Sequence, residues 1–222
     1  MAKSYFVTST GTGVGKTYVT AALIRQARAQ GLLVQAYKPV ISGFDKAEIA
    51  GSDTGVILDA LGRPLTMEEV ERLSPWRFAA PLAPNMAAKK EGRALDCEKL
   101  FAHSRAVLRE PADLTLIEGV GGVMVPLDDK NTVLDWIVAA GAPVLLVVGD
   151  YLGTISHTLT ALEVLRMRGV EVAAVVVNQG EADAPFSDAF AEIAKRFAPL
   201  PVLTLGHAAG GESLAMLAGK NR

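Results

Sequence analysis

A run of small residues ending in Gly-Lys-Thr lies near the start of the chain. It reads Ser-Thr-Gly-Thr-Gly-Val-Gly-Lys-Thr over 9–17, between an apolar segment at 4–8 and a helix predicted at 17–30. Glycines let successive backbone N–H groups converge on an anion, and the start of the helix adds partial positive charge. Lys16 and Thr17 can then reach a terminal phosphate and a bound Mg²⁺. The segment is predicted to bind a nucleoside triphosphate.

One position of this loop departs from the usual spacing. The strict pattern requires glycine five places before Gly15, and this chain has Thr10 there. The alternative is an ordinary turn rich in glycine and threonine with a fortuitous Gly-Lys-Thr. The strand and helix predicted on either side are the context in which a phosphate loop is found, so they favour phosphate binding.

Two carboxylates are predicted to share a metal ion with the loop. Mg²⁺ is held by oxygen ligands, usually one or two carboxylates together with water. Glu118 directly follows the apolar segment 114–117, and Asp53 follows Gly-Ser after the second predicted strand. With the Thr17 hydroxyl they form a candidate Mg²⁺ site. The alternative for Asp53 is that it only caps the helix that begins there.

Lys38 is the candidate for stabilising charge during a reaction. It follows the predicted strand 33–37 and precedes Pro39, which favours an extended exit toward the edge of the sheet where ligands bind. Phosphoryl transfer depends mainly on positioning and electrostatics, which an ammonium group there would supply. Glu118, Asp150 and Asn178 also follow predicted strands, and each could instead be a solvated loop residue.

Short apolar segments alternate with longer amphipathic ones along the chain. Most apolar segments lack in-and-out alternation, so both of their faces are predicted to be buried, as in a parallel sheet. The alternation is typical of a doubly wound α/β domain, with a mostly parallel sheet and helices on both faces, like P-loop NTPases. The predicted strands are 4–8, 33–37, 114–117, 143–148, 170–177 and 201–205; the predicted helices are 17–30, 53–61, 96–109, 132–140, 156–168 and 185–197, with a short one capped by Thr66 and Glu69.

Composition excludes several classes of protein. The chain of 222 residues is half hydrophobic, and its 22 basic and 24 acidic residues argue against nucleic-acid or membrane-surface binding. A single cysteine, Cys97, excludes an internal disulfide and a thiolate zinc site. We find no signal peptide and no apolar run of the roughly 20 residues that a membrane span needs. A soluble cytoplasmic enzyme of one domain, 1–222, is therefore expected.

Two further features leave alternatives open. The proline-rich segment 74–85 could be a lid, a pocket wall or a rigid surface excursion. His103, His157 and His207 lie far apart without metal-ligand spacing, so we expect each to be solvated or packed rather than catalytic.

Taken in order, these segments resemble one family, the ATP-dependent dethiobiotin synthetases of biotin biosynthesis. Each element is weak alone, but the ordered set is specific and extends over about residues 3–180. The matching segments are Tyr5-Phe6-Val7-Thr8, Val14-Gly15-Lys16-Thr17, Tyr37-Lys38-Pro39-Val40, Ser42-Gly43, Ser52-Asp53, Phe78, Pro81, Glu118-Gly119-Val120-Gly121-Gly122, Pro126-Leu127, Asp135-Trp136, Leu152-Gly153, His157 and Asn178.

The resemblance implies a reaction and an assembly. It implies a homodimer, with the substrate site near the interface, that converts 7,8-diaminononanoate, CO₂ and ATP into the cyclic urea dethiobiotin. One amine takes up CO₂ as a carbamate, ATP phosphorylates the carbamate, and the other amine closes the ring as phosphate leaves. ATP is thus an expected substrate and Mg²⁺ an expected cofactor.

The resemblance also implies roles for individual residues. Lys38 and Lys16 are the expected catalytic residues, and Thr17, Asp53 and Glu118 the expected Mg²⁺ ligands. The expected nucleotide contacts are Gly13, Val14, Gly15, Lys16, Thr17, Asp53, Glu118, Gly119, Val120 and Gly121, with Asn178 and His207 at the adenine. The expected substrate contacts are Thr12, Lys38 and Ser42, with Gly153, Thr154 and Ser156 receiving the substrate carboxylate, at a helix start, across the interface.

The chain departs from this family at several positions. Ser9, Gly11 and Gly13 stand where glycine, aspartate and an acidic residue are common. Phe186 and Phe190 stand where an aromatic hydroxyl is expected near the substrate carboxylate.

Two other ATP-binding classes are alternatives. Partitioning or septum-positioning ATPase switches carry a lysine early in the loop, and this loop has none before Lys16. Amidation domains of the cobyrinate type usually accompany a glutamine-handling domain, for which this chain has no room.

Overall fold

A six-stranded parallel sheet forms the centre of the fold in the computed structural model, which describes residues 2–179, 199–206 and 212–219. The strand order is β2-β5-β1-β6-β7-β8, so the first strand lies near the middle. Both of its neighbours come from far along the chain, since Phe6 pairs with Ile117 on one side and Val144 on the other. The strands are β1 Lys3–Ser9, β2 Val34–Tyr37, β5 Leu114–Glu118, β6 Val144–Gly149, β7 Val172–Asn178 and β8 Val202–Leu205.

Helices cover both faces of this sheet. Local sequence explains several of their ends: α2 begins where the Ser52 hydroxyl accepts the Gly55 N–H, and α6 ends at Gly141 in the left-handed region. The helices are α1 Lys16–Ala29, α2 Asp53–Leu61, α3 Met67–Leu73, α4 Pro84–Lys90, α5 Cys97–Val107, α6 Val133–Ala140, α7 Thr154–Met167 and α8 Ala215–Ala218, with short 3-10 helices at Lys46–Gly51 and Glu212–Leu214.

Two apolar clusters explain why most residues of the central strands are apolar. Successive strand residues point to opposite faces, so Phe6 joins the cluster under α5, α6 and α7 while Val7 joins the one under α1 and α2. On the first face, Phe6 meets Trp136 edge to face, with ring centroids 4.9 Å apart. Because helices cover both faces of the sheet, its strands are mostly apolar, with Thr8 and Glu118 among the buried polar exceptions. This arrangement confirms the doubly wound parallel fold predicted above.

A small second sheet was not predicted. Strands β3 Val40–Ser42 and β4 Trp76–Phe78 pair in parallel, and beyond them the Gly43 N–H donates to the Ala80 carbonyl at 3.1 Å. The proline-rich segment is therefore tied to the chain just after Lys38 and then enters α4. This pairing brings Ser42 and Pro81 to the same end of the main sheet as the glycine-rich loop.

Some expectations fall outside the described residues. The helix predicted at 185–197, with Phe186 and Phe190, and the candidate adenine contact His207 are among them. In the part of the chain that the structure describes, no helix is both long enough and apolar enough to span a membrane.

Candidate active site

The glycine-rich loop joins the end of β1 to the start of α1. Gly13 and Gly15 have φ angles of +78° and +89°, a region that side chains other than glycine rarely adopt. A Cβ atom on Gly15 would lie 2.0 Å from the Asn178 side-chain nitrogen, which itself donates to the Val14 carbonyl at 3.2 Å. Gly15 is therefore required both by the turn and by the close approach of β7.

Lys16 lies under this loop with only 8% of its surface exposed. Its ammonium group donates to the Ser9 hydroxyl at 3.0 Å and to the Gly11 carbonyl at 3.3 Å. Burial, with the nearby charge of Lys38 adding to it, lowers the pKa of Lys16 to about 8. A buried ammonium group with few partners is ready to bind an anion.

Lys38 is the more enclosed of the two lysines of the site. It is 2% exposed, and its Nζ lies 2.7 Å from Glu118 Oε1, 3.1 Å from Asp53 Oδ2 and 3.1 Å from the Gly119 carbonyl. Burial alone lowers the pKa of Lys38, but the two carboxylates outweigh burial and raise it. Burial likewise raises the pKa of Asp53, and Lys38 outweighs it, so that pKa is lowered.

The residues around Lys38 fit the binding of Mg²⁺. The Thr17 hydroxyl donates to Glu118 Oε1 at 2.7 Å, and Asp53 is linked to both Thr17 and Lys38. Glu118 is fully buried, yet its Oε2 has no hydrogen-bond partner among the described residues. A hydroxyl and two carboxylates, one of them with an oxygen that lacks a partner, form an all-oxygen donor set of the kind this ion prefers. Ser52 caps α2, so the alternative that Asp53 is only the cap does not hold.

A cavity of about 670 Å³ opens above these groups. Ten of the predicted site residues line it, so residues far apart in sequence come together around one hollow. Residues 81–84 and Val125 form the apolar wall of this cavity. Of the alternatives given for the proline-rich segment, the structure therefore supports the pocket wall. Predicted residues lining the cavity are Thr12, Gly13, Gly15, Lys16, Thr17, Lys38, Ser42, Asp53, Val120 and Gly121.

Asn178 and Val14 face a different hollow. It measures about 340 Å³ and lies on the other side of the loop crest, with Thr12 and Gly13 shared between the two spaces. Asp150 lines the same hollow; both of its carboxylate oxygens are buried without a partner among the described residues, and burial raises its pKa.

The start of α7 does not face the main cavity of its own chain. The Thr154 N–H donates to the Tyr151 carbonyl at 3.0 Å, and its hydroxyl donates to the Gly149 carbonyl at 2.6 Å. Gly153 precedes the helix with a φ of +96°, and Ser156 is exposed. The structure therefore does not bring these three residues to Lys38, and the amide of Thr154 is already used in a turn.

The two histidines that the structure describes lie away from the cluster around Lys38. His103 packs edge to face against Trp76, with centroids 5.6 Å apart, and burial lowers its pKa. His157 is exposed and its Nδ1 lies 2.9 Å from the Tyr151 hydroxyl. These two match the expectation of packed or solvated residues, and the described residues hold no cluster of three or more His, Cys, Asp or Glu.

Solved structures share this fold at low sequence identity. The signal recognition particle receptor FtsY of Elizabethkingia anophelis, in complex with GDP, matches with a TM-score of 0.55 and 17% identity, over 100% of this chain and 65% of that one. The septum site-determining protein MinD of Pyrococcus horikoshii, complexed with Mg-ADP, matches with a TM-score of 0.52 and 17% identity, over 98% and 85%. At such identity the likeness shows a P-loop NTPase fold alone.

Other proteins resemble this chain at much higher sequence identity. Residues 3–207 match the family model described as AAA domain. The chain is 48% identical to the ATP-dependent dethiobiotin synthetase BioD of Phenylobacterium zucineum, over 95% of this chain and 92% of that protein. It is 52% identical to the BioD of Caulobacter vibrioides NA1000, over 84% of each. With this identity over most of its length, the chain belongs to the family of ATP-dependent dethiobiotin synthetases.

Proposed function

We propose that this ATP-dependent ligase of biotin biosynthesis closes the urea ring of dethiobiotin in the cavity beside Lys38. The substrates are 7,8-diaminononanoate, CO₂ and ATP. The observation that carries the proposal is the convergence of Lys38, Glu118, Asp53 and Thr17 beside a phosphate loop, at one end of the sheet. This arrangement supplies two buried ammonium groups and an oxygen donor set at the mouth of a single cavity.

ATP binding is assigned to the glycine-rich loop. The backbone N–H groups of 13–17 and the start of α1 receive the phosphates, and Lys16 supplies a charge that water screens little because it is buried. Gly119, Val120 and Gly121 border the phosphates from the loop after β5. Asn178, whose side chain lies against Val14, is assigned to the adenine edge, and His207 is proposed for the same end of the nucleotide.

Thr17, Asp53 and Glu118 are assigned to Mg²⁺. When bound, this ion neutralises charge on the phosphate oxygens of ATP. The orphaned Oε2 of the buried Glu118 supports this assignment, because a fully buried carboxylate oxygen without a partner is costly unless a ligand satisfies it.

Lys38 acts on the reacting groups. One amine of the substrate combines with CO₂ and loses a proton to form a carbamate, and the ammonium group of Lys38 stabilises its negative charge. The carbamate oxygen then takes the terminal phosphoryl group of ATP, and ADP leaves. Attack of the second amine on the carbamate carbon expels phosphate, loses a proton and closes the ring. The high pKa of Lys38 keeps it charged through these steps.

The substrate is assigned to the space between the loop and the proline-rich wall. Ser42 lines the cavity and its buried hydroxyl has no partner among the described residues, so it is available to a substrate nitrogen or oxygen. Thr12 lies at the crest of the loop. The apolar wall formed by 81–84 suits the aliphatic chain of the diamino acid.

The remaining site residues fit a homodimer. Gly153, Thr154 and Ser156 do not line the main cavity of their own chain, and Leu152 beside them is 87% exposed. We assign this helix start to binding the substrate carboxylate in the cavity of a second copy. Thr154 holds the turn at the start of the helix, because its own amide and hydroxyl are already bonded there. We further propose that the whole chain acts as one domain in the cytoplasm, where its buried Cys97 remains a thiol.

The test is a coupled assay of phosphate release and dethiobiotin formation. We expect phosphate release from ATP to require both bicarbonate and the diamine. One phosphate should be released for each dethiobiotin formed. Lys38→Met is expected to slow product formation at least about 100-fold, while Lys46→Met, at an exposed lysine that does not line the main cavity, forms product at the native rate. ATP turnover that is equal with and without the diamine would refute the proposed reaction.

A further inference from the structure

The hydroxyl of Ser9 lies at the junction of three groups beneath the glycine-rich loop. Ser9 is the last residue of β1 and is fully buried. Its Oγ lies 3.0 Å from Lys16 Nζ, 2.7 Å from the Gly11 carbonyl and 2.9 Å from the Gly121 carbonyl. No role in the reaction described above is assigned to it.

The count of donors shows what this hydroxyl does for Lys16. A lysine ammonium group has three N–H donors, and two are directed at Ser9 Oγ and the Gly11 carbonyl. One N–H is left for an incoming oxygen. A serine hydroxyl can accept from the ammonium group while donating its own proton to a carbonyl, so both of its functions are used here.

The backbone around Ser9 holds this hydroxyl in place. The Ser9 carbonyl accepts the Val123 N–H at 3.1 Å, so the loop after β5 is bonded to the end of β1. A Cβ atom on Gly122 would lie 3.1 Å from the Thr10 carbonyl, which shows that the two loops are in direct backbone contact. Because Ser9 is fixed on both sides, its hydroxyl is a rigid anchor rather than a mobile partner.

We propose that Ser9 is a positioning residue for Lys16: its hydroxyl orients the buried ammonium group so that the remaining N–H faces the phosphates of ATP. The inference rests on the proposed role of Lys16 in binding ATP. Without the hydroxyl, the ammonium group keeps the Gly11 carbonyl alone and is free to turn about that single bond. Ordering it again then costs part of the ATP binding energy.

The test is a double-mutant cycle on ATP affinity. Ser9→Ala, Lys16→Met and the double variant are compared by calorimetric titration with ATP, with thermal melting as a check on folding. We expect Ser9→Ala to weaken ATP binding about tenfold, as for the loss of a hydrogen bond to a charged group. In the Lys16→Met background the same change should alter the affinity less than about twofold, because Ser9 then has no ammonium group to orient.

Two further variants keep the test decisive. Thr8→Val removes the hydroxyl of the neighbouring buried residue, which has no partner among the described residues, and should leave ATP affinity unchanged. Ser9→Cys keeps the size of the side chain but offers only a weak acceptor, so it should weaken ATP binding as Ser9→Ala does. It replaces Ser9→Ala in the test if thermal melting shows that Ser9→Ala folds poorly.

The outcomes separate this inference from the function on which it rests. If Lys16→Met binds ATP as the native chain does, the proposed role of Lys16 is wrong. If Lys16→Met weakens binding but the Ser9 variants do not, or if they weaken it equally in both backgrounds, the positioning role of Ser9 is wrong.

Discussion

Replacing Lys38 with methionine tests whether the buried carboxylate of Glu118 depends on this ammonium group for compensation of its charge. At 2.7 Å, the attraction between Lys38 and Glu118 is about 6 kcal/mol at an effective dielectric constant of about 20, most of it offset by the cost of burying both charges. Removing one partner leaves the other buried and uncompensated, which costs about 3–5 kcal/mol. We expect the lower end, about 3 kcal/mol, because the Thr17 hydroxyl still donates to Glu118.

A second variant separates stability from activity. Adding Glu118→Gln to Lys38→Met removes the uncompensated charge, so about 2 kcal/mol of the loss should return in urea denaturation at pH 7. Activity should not return: both variants should show kcat at least about 100-fold below the native value, since each lacks the charge that stabilises the transferring phosphoryl group. An unchanged free energy of unfolding for Lys38→Met, or no recovery in the double variant, would refute the reasoning.

Three further predictions concern other parts of the chain. Gly15→Ala should weaken ATP binding at least about tenfold in titrations, because its methyl group would meet Asn178, whereas Gly31→Ala, at a similar positive φ in open space, should bind ATP normally and only lose stability, about 1–2 kcal/mol. Burial of Asp128 acts against its ionisation, but hydrogen bonds from the Cys97 thiol, Asn131 and backbone N–H groups lower its pKa to about 2. That carboxylate stabilises the fold fully above its unfolded pKa of 3.8, and this effect is lost as the pH falls through 2. Asp128→Asn should therefore cost about 1–2 kcal/mol at pH 7 and less than about 0.5 kcal/mol at pH 2, as measured by urea denaturation at both pH values; an equal loss at both would contradict the linkage. Burial, with Asp128 adding to it, raises the pKa of Cys97 to about 12. Iodoacetamide at pH 8 should therefore alkylate Cys97 in urea but not in the native protein, as measured by mass spectrometry. Rapid labelling of the native protein would contradict this.

The residues around Lys38 could be predicted from sequence for a geometric reason. The carboxyl ends of parallel strands meet at one edge of a sheet, so Lys38 after β2 and Glu118 at the end of β5 come together although 80 positions separate them. The phosphate loop was predictable because its glycines and Lys16 form one continuous motif. In both cases the relevant geometry follows from the chain order of strands, turns and helices.

Other features depend on packing that no local pattern records. Strands β3 and β4 have three residues each, too few to show a period, and Pro39 and Pro75 beside them read as breaks in structure. The bond between Ser9 and Lys16 depends on which way two side chains turn beneath a loop. Ser9 was visible only as a departure from the usual glycine, a signal that marks the position without giving its partner.

The order of strands in the main sheet has a consequence for synthesis on the ribosome. Strand β1 leaves the ribosome first, but its neighbours, β5 and β6, begin only at residues 114 and 144. At ordinary rates of translation the nascent β1 therefore waits roughly 5 to 20 s for its first neighbouring strand, with the backbone groups of both its edges unpaired. During that interval α1 can cover one face of β1, whereas a chaperone is the partner that can shield the other face and the two edges.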